Sequence, residues 1–147
     1  MSDSIAEQPE HDTLNSSKPK VVLFNGLKIE LSPNQSVPGK TQADPGLVFS
    51  ATIIDRSADG RVMTGVWTCE PCGWARMEMG DRGEFFHVLE GSMIIQEDGG
   101  EPIEASPGTS VYAPPGWSGS WRIPSRLVKS FVTFFPNEKT AASSTAR

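Results

Sequence analysis

Histidine is nearly missing from this chain: among 147 residues there are two, His11 and His87. A metal centre built from several imidazoles therefore has too few ligands available. Cysteine is equally scarce. Cys69 and Cys72, separated by Glu70 and Pro71, cannot supply a disulfide framework, and alone they make half of a structural zinc site. No stretch approaches the roughly 18 apolar residues of a membrane span. The opening Met-Ser-Asp-Ser-Ile-Ala-Glu-Gln-Pro-Glu has no basic segment leading into an apolar run, so a cytoplasmic location is expected. Lysines and arginines form no cluster, and the net charge is −5, which argues against a nucleic-acid partner. There is no Gly-x-Ser-x-Gly elbow, phosphate loop or dinucleotide fingerprint. The remaining partners are small molecules or other proteins, with no nucleic acid and no membrane.

The length suits one domain with a buried core. Residues 1–20 are polar and nearly devoid of apolar side chains, which predicts a disordered N-terminal tail. The stretch 137–147, ending Thr-Ala-Ala-Ser-Ser-Thr-Ala-Arg, predicts a flexible C-terminal tail. The folded domain is expected over 21–136. Fourteen glycines and 12 prolines punctuate the chain and leave no helical period of useful length. Short β-branched and aromatic runs predict strands at Leu47–Asp55, Val62–Glu70, Trp74–Met79, Phe85–Gln96, Pro102–Ala105, Ser110–Ala113, Gly119–Ile123 and Val128–Phe135. Ser57-Ala-Asp-Gly60 and Glu97-Asp-Gly-Gly100 read as turns. The fold class is therefore all-β, a sandwich or closed barrel.

Two segments sharpen this. Glu84-Phe-Phe-His-Val-Leu-Glu-Gly91 and Gly108-Thr-Ser-Val-Tyr-Ala-Pro-Pro-Gly116 resemble the two motifs of a cupin, a single-domain jelly-roll β-barrel. The first motif places His-x-His before a glutamate, then six residues and a glycine, matched by Glu84 and Gly91. The second begins Gly, five residues, Pro-x-Gly, matched by Gly108, Pro114 and Gly116. Counting back from Glu84 puts either Met77 and Met79 or Glu78 and Gly80 at the paired histidine positions, and counting forward from Gly116 puts Gly119 at the third. Of the usual four ligands the resemblance leaves only Glu84, so no metal and no cofactor are expected. His87 follows Glu84 by three residues on one strand, and the two-residue period sends it to the opposite face.

Trp67-Thr-Cys-Glu-Pro71, Pro114-Pro-Gly-Trp-Ser-Gly-Ser-Trp121 and Lys129-Ser-Phe-Val-Thr-Phe134 extend the resemblance to small single-domain cupins related to the cupin domain of (S)-ureidoglycine aminohydrolase. Cys72, inserted between Pro71 and Gly73, departs from that group. The resemblance implies that Glu84, Lys129, Trp67 and Trp121 line or flank a pocket, with Met77 and Met79 as walls in place of histidines. Either Glu84 and Lys129 orient a polar ligand, or they form an ion pair that braces the barrel. Trp67, Trp74, Trp117 and Trp121 serve as core, as interface or as stacking surfaces. A Glu78–Glu84 carboxylate pair requires the shorter spacing; otherwise Glu78 faces solvent. Cys69-x-x-Cys72 lacks the βαβ setting of a thioredoxin-like dithiol, while a second copy could complete a zinc site.

Three functions follow. The first is a metal-independent barrel that binds a small polar metabolite, amino or ureido in character. The second is a hydrolase, lyase or isomerase resembling ureidoglycine aminohydrolase, with Glu84 as general base and Lys129 stabilising negative charge. The third is a non-catalytic accessory subunit. The resemblance also implies a homodimer, paired through an N-terminal strand at Val21–Phe24 or Leu27–Leu31.

Overall fold

Eight antiparallel strands and no helix make up the described part of the chain: β1 (Ser36–Gly39), β2 (Phe49–Arg56), β3 (Val62–Cys69), β4 (Cys72–Glu78), β5 (Gly83–Glu97), β6 (Pro102–Ala105), β7 (Ser110–Ala113) and β8 (Ser118–Phe134). The computed structural model describes residues 19–29, the backbone of 36–39, and residues 47–137. The tails expected over 1–20 and 137–147 fall almost wholly outside the described residues. Among those residues no helix is long and apolar enough to cross a membrane.

Two strands organise the rest. All eight strands belong to one hydrogen-bonded sheet, in which the 15-residue β5 and the 17-residue β8 pair with each other twice and pass from one half, a first sheet, into the other, a second sheet. In the first sheet the order is β1, β2, β3, the C-terminal half of β8, the N-terminal half of β5, then β7. In the second, β4 and the N-terminal half of β8 lie beside the C-terminal half of β5, followed by β6. The crossing is marked by register shifts between Val88 and Ile94. Before them Phe86 and Val88 are buried; after them Met93 is. The bulges thus move the inward positions of β5 from even to odd numbers, as an extra residue must in a strand of period two.

Sequence reasoning divides β8 into Gly119–Ile123 and Val128–Phe135. The structure joins them. Pro124, Ser125 and Arg126 are exposed and lie at the irregular part of the ladder, where the missing proline N–H costs no regular hydrogen bond. Neither proposed N-terminal strand is present in the described chain. Val21–Phe24 is irregular, and Leu27–Lys28 sits in a turn closed by Lys28 N donating to Asn25 O at 2.9 Å; Glu30 and Leu31 lie outside the described residues. The strand beside β2 is Ser36–Gly39 instead, in register from Ser36–Thr52 to Gly39–Phe49.

The core lies between the sheets, built from Leu47, Cys69, Ala75, Phe86, Val88, Met93, Ala105, Trp121, Ile123, Leu127 and Phe131. Val66 is also buried, but on the outer face, where the segment containing Gly26 lies close against it. Burial of apolar area at roughly 25 cal/mol per Å² is the main stabilising term.

The glycines of the two motif segments meet local demands. Gly91 adopts φ 79°, and a Cβ there would stand 1.8 Å from the Arg126 carbonyl oxygen. Gly116 adopts φ 86°, and its N–H donates to Gly80 O at 2.7 Å, tying the β7–β8 loop to the turn after β4. Gly60 provides a control, with φ 74° and nothing within 4 Å of the place a Cβ would take. Gly60→Ala is expected to cost about 1 kcal/mol, the strain of a left-handed backbone alone. Gly91→Ala is expected to cost more than about 2 kcal/mol, because backbone must also move. Urea denaturation of both variants checks this; equal midpoints would contradict the close approach at Gly91.

Candidate functional site

The inner face of the first sheet carries a buried charge pair. Lys129 on β8 lies opposite Trp67 of β3 on one side and Val88 of β5 on the other. Its alternation with Leu127, Phe131 and Thr133, all buried, turns it inward. Glu84 precedes the inward Phe86 by two residues and so faces the same way. Lys129 Nζ donates to Glu84 Oε2 at 3.1 Å, with the side chains 5% and 12% exposed. The same ammonium stands 3.8 Å from the centroid of the Phe86 ring and 4.7 Å from that of Trp67. A carboxylate and two π faces therefore replace the water the ammonium loses.

The second sheet supplies the facing wall. Met77 of β4, Met79 just beyond it, Met93 and Ile95 of β5, and Trp121 of β8 lie across from the pair. Trp121 meets Trp67 edge-on, with centroids 5.8 Å apart at 84°, and Trp67 packs on Phe49 at 5.4 Å. Trp121 Nε1 is buried without a hydrogen-bond partner among the described residues. Such a donor costs about 1–3 kcal/mol.

Two cavities border these residues. One, of about 420 Å³, lies towards β6 and β7 and includes Met79, Phe86, Thr109 and Ser110 in its lining. The other, of about 880 Å³ among the described residues, lies towards β2 and includes Phe49, Trp67 and Phe131. Met77, Glu84, Met93, Trp121 and Lys129 line both. Both volumes fall in the range of small-molecule sites. Among the described residues the barrel interior is not filled, and the charge pair stands where the two cavities meet.

The structure brings together Glu84, Lys129, Trp67, Met77 and Trp121, and sets Met79 on the wall of the smaller cavity. Glu78 is exposed at the rim of the larger one. His87 lies on the outer face, its Nδ1 2.8 Å from Ser110 Oγ. Trp74 is half exposed under the Arg122 guanidinium, and Trp117 Nε1 reaches Glu97 at 3.4 Å. Sequence reasoning missed Phe86, although its position two residues after Glu84 was the available signal. It also missed Met93 and Ile95, which the β5 bulges turn inward.

Metal ligation does not suit this site. Glu84 is already paired with an ammonium, the neighbouring sulfurs are thioethers, and no three His, Cys, Asp or Glu side chains converge among the described residues. A dication would have to compete with the Lys129 ammonium for Glu84.

The fold and this site define a small cupin barrel. The chain belongs to the EutQ-like cupin domain family, whose model matches residues 56–131. Among solved structures it is similar to the Clostridium difficile EutQ protein, at 17% identity and TM-score 0.58, covering 74% of this chain and 82% of that one. It is also similar to a putative ethanolamine utilization protein Q from Salmonella typhimurium LT2, at 22% identity and TM-score 0.56, covering 68% and 80%. Ectoine synthase from P. lautus matches at 14% identity and TM-score 0.62, covering 84% and 86%. These likenesses show the fold alone. No curated protein matches the chain.

Because the pair is buried, removing one member leaves the other uncompensated. Glu84→Gln and Lys129→Met are each expected to destabilise the protein by about 3–5 kcal/mol. The double variant should lose markedly less than the sum of the two. Denaturant unfolding of the four proteins completes the cycle, and additive losses would show that the two groups do not interact.

Proposed function

We propose that the barrel binds a small polar metabolite, amino or ureido in character, at the Glu84–Lys129 pair, without a metal. One observation carries this reading: a carboxylate and an ammonium stand side by side on the wall of a largely apolar cavity of about 420 Å³. An ammonium has three donors and Lys129 gives one to Glu84 Oε2, so donor capacity remains. Glu84 Oε1 adds an acceptor beside it. A group with a hydrogen-bond acceptor next to an N–H donor, as in a urea or carboxamide, satisfies both at once. The methionines and aromatic rings around it would exclude water and strengthen those bonds.

The related hydrolase reading uses the same groups, Glu84 as general base and Lys129 beside the developing negative charge. Its support is the shared position of these groups on the cavity wall, together with the resemblance of the motif segments. A homodimer is proposed as well. Val62, Phe85 and Tyr112 are exposed on the outer face of the first sheet, where Tyr112 stacks on Phe134 at 6.2 Å. A second copy would cover them.

A thermal-shift panel of ureas, carboxamides and amino compounds tests the binding reading. A ligand at about a hundred times its dissociation constant adds roughly 2.7 kcal/mol. The expected result is a raised midpoint with a ureido or carboxamide compound, absent in Glu84→Gln. No response to any compound would refute it, and ammonia released from a binding compound would favour the hydrolase. For the dimer, sedimentation should give twice the chain mass, falling to one chain in Tyr112→Lys.

A further inference from the structure

The Cys69–Cys72 pair is not used by the proposed site, and its position suggests a role of its own. Cys69 ends β3 in the first sheet and Cys72 begins β4 in the second, so Glu70 and Pro71 form the corner at which the chain changes sheets. Cys69 is buried in the core, and Cys72 is half-buried. Cys69 Sγ donates to the Glu70 carbonyl at 3.3 Å. Both side chains turn to the same core, Cys69 within it and Cys72 packed against it. Pro71, with its fixed φ, restricts the corner between them.

The surroundings give the two sulfurs different reactivity. Burial above all, then the adjoining Cys72 sulfur, pushes the Cys69 thiol up to about 12, although Lys129 opposes the rise. At neutral pH Cys69 is a protonated thiol away from solvent. Cys72 is the member that a dissolved reagent meets first.

We propose that Cys69 and Cys72 form a reversible intrachain disulfide, a redox latch across the corner between the two sheets, with a low-molecular-weight disulfide as oxidant. The Cys72 thiolate attacks one sulfur of the oxidant, forming a mixed disulfide and expelling one thiolate. Cys69 then loses its proton to solvent and attacks the Cys72 sulfur, forming the intrachain bond and expelling the second thiolate. The protein loses two electrons and two protons in all, and the oxidant is reduced to two thiols. The second step is assisted because both cysteines are held at the same corner, three residues apart, so Cys69 needs no diffusional encounter.

The test uses the full chain in mixtures of reduced and oxidised glutathione, followed by acid quenching, alkylation under denaturing conditions and trypsin. Peptide 62–76, bounded by Arg61 and Arg76, carries both cysteines. As oxidised glutathione rises, this peptide should pass from a doubly alkylated form to an unalkylated form two hydrogens lighter than the dithiol, and dithiothreitol should reverse the change. Cys69→Ala should stop at a glutathione adduct on Cys72, and Cys72→Ala should react at least about tenfold more slowly than the wild type. Should either variant fail to fold, the wild-type peptide decides alone. A doubly alkylated peptide at the most oxidising ratio, a persistent glutathione adduct in the wild type, or a disulfide joining two copies would each overturn the proposal.

Discussion

The pairing of β5 with β8 is the constraint on which the rest of the molecule depends. Both strands run through both sheets, so a single ladder sets the inner face of each. Its first stretch places Lys129 opposite Val88 and within reach of Glu84; its second places Ile95 opposite Trp121. Between them the bulges around Glu90 and Ser92 bend the ladder so that the faces close on a shared interior. Gly91 is needed there because the Arg126 carbonyl passes where a side chain would stand.

This arrangement gives the interior an unusual polar content. An ammonium nearly out of contact with water is held by a carboxylate at 3.1 Å and by the Phe86 and Trp67 rings. A well-packed apolar replacement of similar volume often costs a protein little, so a buried pair is weak evidence for a stabilising role. Its place between two cavities favours a binding role instead. The sulfurs of Cys69 and Cys72 stand at another junction of the same barrel, where β3 hands the chain to β4.

Much of this was legible in the residues. Strands from Leu47 to Phe135 followed from β-branched and aromatic runs between glycine and proline turns, with Pro102–Ala105 and Ser110–Ala113 placed at their observed bounds. The motif glycines marked positive-φ positions, which few other residues occupy without strain. Period-two parity separated Glu84 from His87 onto opposite faces. The same parity failed beyond Val88, because a bulge has no composition that reveals it, and Met93 and Ile95 went unrecognised. The predicted strands stop at Ile123 and resume at Val128, whereas β8 runs through, with Pro124 where the ladder is already irregular.

The sequence by itself determined the class of fold, the positions of its turns and the scarcity of imidazole, with two histidines in the chain. These depend on local conformational preference and on composition, which each residue carries with it. The tertiary structure alone decided that Lys129 meets Glu84, that Phe86 and Trp67 enclose the ammonium, and that Cys69 and Cys72 turn to one core. The charge pair depends on the register of strands 45 residues apart, and the placing of the two cysteines on the corner where β3 passes to β4. Such distances are set by many weak contacts acting together rather than by any one segment of the chain.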